Sequence, residues 1–336
     1  MRIQAQEMQK TFEEILIGRS VPSDIAQIAA RNFTQTSLDG VYSHGVNRFP
    51  RLIEYLDKGV VNPQGRPECV ARVGNLERWD GRMGLGNVNA TLAMDRACDL
   101  AAENGMGLVA IANTNHWMRA GAYGWQAANR GCIALCWTNT MPNMPAWGGK
   151  EPKLGNNPLV VAIPQSDGNH VVLDCAMSQF AYGKIEMARM QSQQLPVPGG
   201  WDTKGNITTD PAEIERSQRV LPIGYWKGSG LSLVLDLVAA ILSGGNTVTD
   251  VGTRYTEEVG LSQVMLAIDP SHMNTKAMTD GIIQRVLEDI QSSTPAQPGE
   301  SIRYPGQREK KVRAENQAQG IPVLDEVWEK ICQLKG

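Results

Sequence analysis

The chain has 336 residues, 42% of them hydrophobic and 20% charged, with a formal net charge of −3. This length allows two domains or one large domain with additions, and the apolar share excludes disorder as the dominant state. With 32 basic against 35 acidic residues and no long single-sign block, the basic face that a nucleic-acid partner needs is missing.

In chain order, MRIQAQEMQKTFEEILIG is too polar for a secretion signal. Met8, Phe12, Ile15 and Leu16 fall on one helical face that Gly18 ends. Ile25, Ile28, Ala29 and Phe33 repeat the pattern behind Pro22-Ser23-Asp24, and a third helix is predicted from Pro50 to Lys58. The middle then alternates short apolar runs with helical patterns. Strands are predicted at Gly107–Ala112, Ile133–Thr138, Leu159–Pro164 and His170–Cys175, with helices at Ala120–Asn129 and Tyr182–Gln191. Asp167-Gly168 between two β-rich runs predicts a hairpin, so the sheet is mixed. Residues 193–228 read as a long Pro/Gly-rich loop. Ser229 can cap a helix whose face is Leu231, Val234, Leu235, Val238 and Leu242. Leu261–Asp269 reads as a strand, and Asn274 can cap a helix with Met278, Ile282, Val286 and Ile290 on one side. Two short helices close the chain.

The apolar run Leu231–Leu242 contains Asp236 and is shorter than the roughly 20 residues of a spanning helix. Six cysteines (Cys69, Cys98, Cys132, Cys136, Cys175 and Cys332) form no CxxC pair and no zinc spacing. Reduced thiols in a soluble cytoplasmic protein, with no membrane partner and no metal, are the expectation.

A dinucleotide-binding GxGxxG turn is missing. Its nearest string, GLGNVN at Gly84–Asn89, lacks the third glycine and follows WDGRM, a poor strand, so it reads as a plain turn before a helix. An anionic cofactor would still need backbone N–H groups or cations. Lys227, in YWKGSG, is a candidate, or a solvated lysine in a turn.

Only four histidines occur. His170 and His272 read as ordinary edge or surface residues. His116, in NTNHWMR, is either a ligand-facing residue at a strand end or a packing partner of Trp117. His44, in YSHGVNR, is the strongest candidate. An imidazole can give and accept a proton near neutral pH, Gly45 permits close approach, and Arg48 can clamp a carboxylate through two parallel hydrogen bonds. Reduction of a keto acid needs that pair. The competing readings are a helix-capping histidine beside a surface arginine, a metal-dependent hydrolase on His44 and His116, and a sugar-acid binding protein without enzyme activity.

DGVYSHGVNR (Asp39–Arg48), NTNH (Asn113–His116), GNNP (Gly155–Pro158), LDCAMS (Leu173–Ser178), YGKIE (Tyr182–Glu186), PIGYWKGSG (Pro222–Gly230) and Pro305-Gly306 run in order along nearly the whole chain. Together they resemble the malate/L-lactate dehydrogenase family that lacks a Rossmann domain and also includes sulfolactate and ureidoglycolate dehydrogenases. YSHGVNRFPR (Tyr42–Arg51), NHWMR (Asn115–Arg119), YGWQAA (Tyr123–Ala128) and the Tyr-Trp pair before Lys227 point to a branch acting on 2-oxo sugar acids.

The resemblance implies an L-sulfolactate dehydrogenase-like α/β fold. Residues 1–75 would form a helical part carrying the proton donor, packed with C-terminal helices at 308–336. Residues 76–307 would form a mixed-sheet, non-Rossmann part that binds NADH or NADPH. His44 would be the proton donor, Arg48 the carboxylate clamp, and Ser43 and His116 further substrate contacts. His170, Val171, Val172, Leu173, Asp174, Cys175 and Ala176 would line the cofactor, with Trp226 and Lys227 as a second contact and Gly306, Gln307 and Arg308 as a third. Gln307 stands where relatives carry glutamate or histidine, Asn156 replaces a usual threonine and Cys175 a usual methionine. The implied assembly is a homodimer and the implied substrate a 2-oxo sugar acid, with malate, lactate, sulfolactate or ureidoglycolate chemistry as the alternative.

Overall fold

The computed structural model describes residues 1–335. After a short strand β1 (Arg2–Ile3), the opening apolar repeat folds as α1 (Ala5–Ile17) and α2 (Ser23–Leu38). A single 3-10 turn (Tyr42–His44) leads into α3 (Phe49–Asp57). The helical spacing puts Met8, Phe12, Ile15 and Leu16 of α1 against Ile25, Ala29 and Phe33 of α2, all buried. Phe12 stacks on Phe49 at 4.0 Å between centroids and Phe33 meets Phe49 edge-on at 5.3 Å. Each fully buried phenylalanine contributes roughly 1.5–3 kcal/mol, so the turn carrying His44 and Arg48 stands on a dense support.

The chain continues through β2 (Glu68–Val73), β3 (Leu76–Asp80), α4 (Gly86–Asn104), β4 (Met106–Asn115), α5 (Gly121–Asn129) and β5 (Ile133–Thr138). A small pair, β6 (Met144–Pro145) and β7 (Pro152–Leu154), precedes β8 (Leu159–Ile163) and β9 (Val171–Cys175). Then come α6 (Tyr182–Met190), β10 (Gly200–Trp201), β11 (Ile207–Thr208), α7 (Pro211–Ser217), α8 (Trp226–Ser243), α9 (Val248–Arg254), β12 (Val259–Ile268) and α10 (Lys276–Gln291). The last elements are α11 (Gln307–Gln319), β13 (Ile321–Pro322) and α12 (Asp325–Gln333).

Seven strands form the main sheet in the order β2-β3-β4-β12-β5-β8-β9. Only β3 and β4 are parallel, joined through α4; the other neighbours are antiparallel. The alternation of side chains along a strand sends Val109 and Met265 to the face covered by α4 and α5, and Ala110 and Val264 to the face covered by α8. The expected hairpin is present between β8 and β9, with Gly168 at φ 75°. The chain ends return to the N-terminal helices. β1 pairs with β13, the Met1 amino group donates to Asp325 Oδ1 at 2.6 Å, and Arg313 of α11 donates to Asp39 Oδ1 at 2.6 Å.

Several expectations need correction. The stretch up to residue 75 is not helical to its end, because Glu68–Val73 is an edge strand of the main sheet. The sequence before Gly84 does form a strand, β3; its brevity and charge hide it. Residues 193–228 are not one loop. They hold the β10–β11 hairpin and α7, which Asp210 caps by accepting from the Ala212 and Glu213 N–H groups. α8 starts at Trp226, so Ser229 lies inside it and accepts the Trp147 N–H instead of capping. Thr275, not Asn274, caps α10. The apolar stripe of α10 faces outward, as do Leu231 and Val234 of α8. By composition α8 could cross a membrane, yet its small and polar side (Ser232, Asp236, Ala239, Ser243) is buried against the protein. Asp236 there accepts from Asn139 Nδ2 and the Val248 N–H.

Candidate active site

His44 ends the 3-10 turn and Arg48 immediately precedes α3, so the rigid entry to one helix fixes both side chains. Gly45 serves packing, not ligand approach: a Cβ there would collide with Ser37 Oγ, the atom that accepts the Val46 N–H at 2.9 Å. Ser43 Oγ lies 3.0 Å from His44 Nδ1, which leaves Nε2 to meet a substrate. Burial, then the positive charges of Arg48 and Arg119, lower the His44 pKa to about 4. The free site therefore holds a neutral imidazole at neutral pH.

His116 follows β4 and stacks near-parallel to His44, with ring centroids 6.0 Å apart. Its Nδ1 accepts the Met118 N–H at 3.0 Å, which assigns the neutral ring's proton to Nε2. Burial, Arg48 and His44 hold its pKa well below the usual imidazole value. His116 Nε2 points to Glu258 Oε2 at 3.9 Å, and Arg48 Nη2 lies 3.8 Å from the same oxygen. Strand register brings Glu258 here: β12 pairs antiparallel with β4 and sets Val259 opposite Asn115, so the next residue outward on each strand is Glu258 and His116. Two positive φ angles, at Asn113 (51°) and Met118 (67°), bend the chain around this strand end. They are unusual for side chains other than glycine and mark local strain.

The segment predicted to line a cofactor is contiguous with the other two. The Val172 N–H donates to Pro305 O at 3.0 Å, and Gly306, at φ 96°, packs so close that a Cβ would stand 2.9 Å from His170 O. At the other end of β9, Ile223 N–H donates to Met177 O at 2.8 Å, just ahead of Trp226 and Lys227. Between these ends Leu173 is exposed on one face of β9, and Asp174, on the opposite face, is exposed only along its edge. Trp226 is 65% exposed and Lys227 is exposed, both in the first turn of an 18-residue helix whose leading N–H groups favour anions. An exposed indole, a cation and a helix start beside an open strand suit a nicotinamide dinucleotide. The start of α6 also comes close to the His44 turn, where a Cβ on Gly183 would lie 3.9 Å from Ser43 Cβ.

Not every predicted contact is available through its side chain. His170 is 4% exposed; its Nδ1 accepts the Gln165 N–H and its Nε2 meets Asn129 Oδ1 at 3.0 Å, so the ring is occupied by the protein. Val172 is buried in the core, and Cys175 Sγ faces Leu159 O. Val171 and Ala176 are half-buried, Gln307 contacts Gln291, and Arg308 is exposed. Asp174 accepts the Gly121 N–H at 2.7 Å. Its edge meets solvent, yet protein surrounds the carboxyl closely enough that burial outweighs Arg119 and raises its pKa. The glycines at Gly84 and Gly86 serve close packing, because Cβ atoms there would strike backbone of Gly65 and Asn115.

Glu258 gives no signal in the sequence, where its TEEVG setting reads as a charged turn. Nor does the role of Asp39, which ties Arg119 and Arg313 together within the N-terminal layer. Asn156 Oδ1 accepts from Asn143 Nδ2 at 3.0 Å and from Thr140 Oγ1 at 3.2 Å, bracing the loop after β5, while its backbone carbonyl accepts the Met177 N–H at 2.7 Å, a bond any residue here could make.

A family model described as malate/L-lactate dehydrogenase matches residues 3–332. A protein named 2,3-diketo-L-gulonate reductase from Escherichia coli O127:H6 is 45% identical over 99% of this chain and 100% of its own. Its namesake from Citrobacter koseri is 44% identical over the same shares. Among solved structures, sulfolactate dehydrogenase from Methanocaldococcus jannaschii superposes with a TM-score of 0.90 at 31% identity, covering 99% of this chain and 96% of that one. The expected sulfolactate dehydrogenase-like fold is thereby borne out.

Proposed function

Because the chain belongs to the malate/L-lactate dehydrogenase family, we propose that it reduces 2,3-diketo-L-gulonate at C2 to 3-keto-L-gulonate, using NADH or NADPH. The observation that carries this reading is the meeting of His44, His116 and Arg48: the two rings lie 6.0 Å apart, and His116 and Arg48 both stand within 4.0 Å of Glu258 Oε2. The 44–45% full-length identity to reductases of that name supports the choice of substrate.

Arg48 would hold the C1 carboxylate in its fork. Among the described residues Glu258 is its one ionic neighbour within 4.0 Å, and that contact is too long for a hydrogen bond. His44 Nε2 would protonate the C2 oxygen, and the His116 Nε2–H and Ser43 Oγ would orient the neighbouring oxygens. A bound reduced nicotinamide would supply the hydride to C2. A carboxylate on Arg48 cancels a charge that depresses the His44 pKa, so substrate binding itself favours the imidazolium the reduction consumes. Lys227 and Trp226 would meet the cofactor from α8, and Gly306-Gln307-Arg308 from the start of α11.

We further propose a soluble, cytoplasmic homodimer. Support for the dimer comes from the outward apolar faces of α8 (Leu231, Val234, Leu237 and Ile241) and α10, since a cluster of exposed apolar side chains marks a contact surface.

The test is a steady-state assay with both nicotinamides across 2,3-diketo-L-gulonate, oxaloacetate, pyruvate and sulfopyruvate. The expected result is the highest kcat/KM with diketogulonate. Faster turnover of oxaloacetate or pyruvate would replace this substrate with a simpler 2-oxo acid.

A further inference from the structure

We propose that Glu258 is the positioning residue of the clamp: it holds the Arg48 fork in the free site and releases it, as a neutral acid, when a substrate carboxylate arrives. The inference rests on the reading of Arg48 as a carboxylate clamp and extends it to how the clamp is kept ready.

The geometry is that of a loose placeholder. Glu258 Oε2 stands 3.8 Å from Arg48 Nη2 and 3.9 Å from His116 Nε2, near enough to attract both and too far to hydrogen-bond either. Its Oε1 takes only a long bond, 3.4 Å, from the Met141 N–H. The side chain is 15% exposed, so water compensates its charge poorly. The groups facing it are Arg48 and Arg51 from the start of α3, His116 beyond β4, and His44 behind His116. Its neighbour Glu257 is directed elsewhere, to Lys58 and Tyr55.

Two carboxylates cannot share one guanidinium in a half-buried pocket without strong repulsion. One must leave, or one must take a proton. Glu258 directly precedes β12, and burial favours its neutral form against the pull of Arg48. A second anion tips the balance. The proton comes from solvent, Glu258 becomes a carboxylic acid, and its O–H can then donate to the substrate. His116, which uses Nδ1 as an acceptor and carries its proton on Nε2, is set to donate and not to remove a proton from that acid.

Oxamate, a carboxylate that resembles a 2-oxo acid but resists reduction, separates this step from turnover. Its binding to the NADH-loaded protein is measured by calorimetry in two buffers of different ionisation heat, for the parent chain, Glu258→Gln and His44→Gln. The expected result is net proton uptake by the parent, a clear loss of uptake in Glu258→Gln, and persistence of the Glu258 share in His44→Gln. Where Glu258 is the titrating group, oxamate affinity of His44→Gln should fall with rising pH, approaching roughly tenfold per unit for one linked proton. The double variant His44→Gln with Glu258→Gln should show little of that slope. Uptake by Glu258→Gln equal to the parent's would overturn the proposal. Should Glu258→Gln fold poorly, the pH slope of His44→Gln alone decides, and a flat profile overturns it. A different failure marks the underlying reading: if Arg48→Lys binds oxamate as tightly as the parent, the clamp itself is wrong.

Discussion

The N-terminal helices and the pair α8 and α10 carry comparable apolar stripes and use them in opposite ways. In α1 to α3 the stripe is the core: Met8, Phe12, Phe33 and Phe49 are wholly buried. In α8 the buried side is small or polar apart from Leu235, and Leu231, Leu233, Val234, Leu237 and Ile241 look outward, with Ile241 69% exposed. α10 has no buried residue at all, although Met278, Ile282, Val286 and Ile290 form a regular stripe. Periodicity announces that a face needs covering. It does not say whether the cover is the same chain, and the side packed on the sheet can be the one with small residues, which let a helix approach closely.

The difference assigns different work to the two regions, and the largest expected effect tests the chemistry that the buried one supports. His44→Ala should lower reductive turnover by ~10²–10⁴-fold, with NADH affinity nearly unchanged because the residues proposed to meet the cofactor lie on β9, α8 and α11 and not on the His44 turn. Since burial and Arg48 hold the free imidazole near a pKa of about 4, reduction by the parent chain should slow as pH rises and the donor loses its proton, while the variant should lack that limb. Parent-like turnover by His44→Ala would remove the donor from this site.

The next effect is on stability. Phe33 is fully buried against Phe12 and Phe49, so Phe33→Ala should cost about 3–5 kcal/mol, read from denaturant unfolding. A loss below about 1 kcal/mol would mean that the helical layer is looser than its packing indicates, and would erase the contrast with α8.

Much of this site is legible in the sequence alone. YSHGVNR is readable because the two groups proposed to act, His44 and Arg48, lie four residues apart at the entry to one helix, so no long-range contact is needed to bring them together. The hairpin at Asp167-Gly168 is readable for a similarly local reason. Glu258 is not. Its place depends on the register that sets Val259 opposite Asn115, and a slip of one residue would turn it to the other face. The side chain of His170 misleads in the opposite sense: its backbone does border Gly306, but Gln165 and Asn129 occupy the ring. The short strands β2 and β3 and the small hairpin β10–β11 carry too few apolar residues to signal themselves. Their partners in the sheet, not their composition, make them strands.

The smallest change in stability belongs to the outward face. Leu237→Arg combined with Ile241→Arg adds two cations to exposed positions of α8, so thermal unfolding of the isolated subunit should shift by no more than about 0.5 kcal/mol per site. The assembly should nevertheless change. If these side chains meet a second copy, the paired arginines put like charges into an apolar contact and leave them without partners, which costs far more than the leucine and isoleucine contributed. Sedimentation should then show a dimer for the parent chain and a monomer for the double variant, with little change in circular dichroism. An unchanged sedimenting mass would mean that α8 is bare in solution, and the contrast between a stripe covered from within and one covered by a partner would fail at this helix.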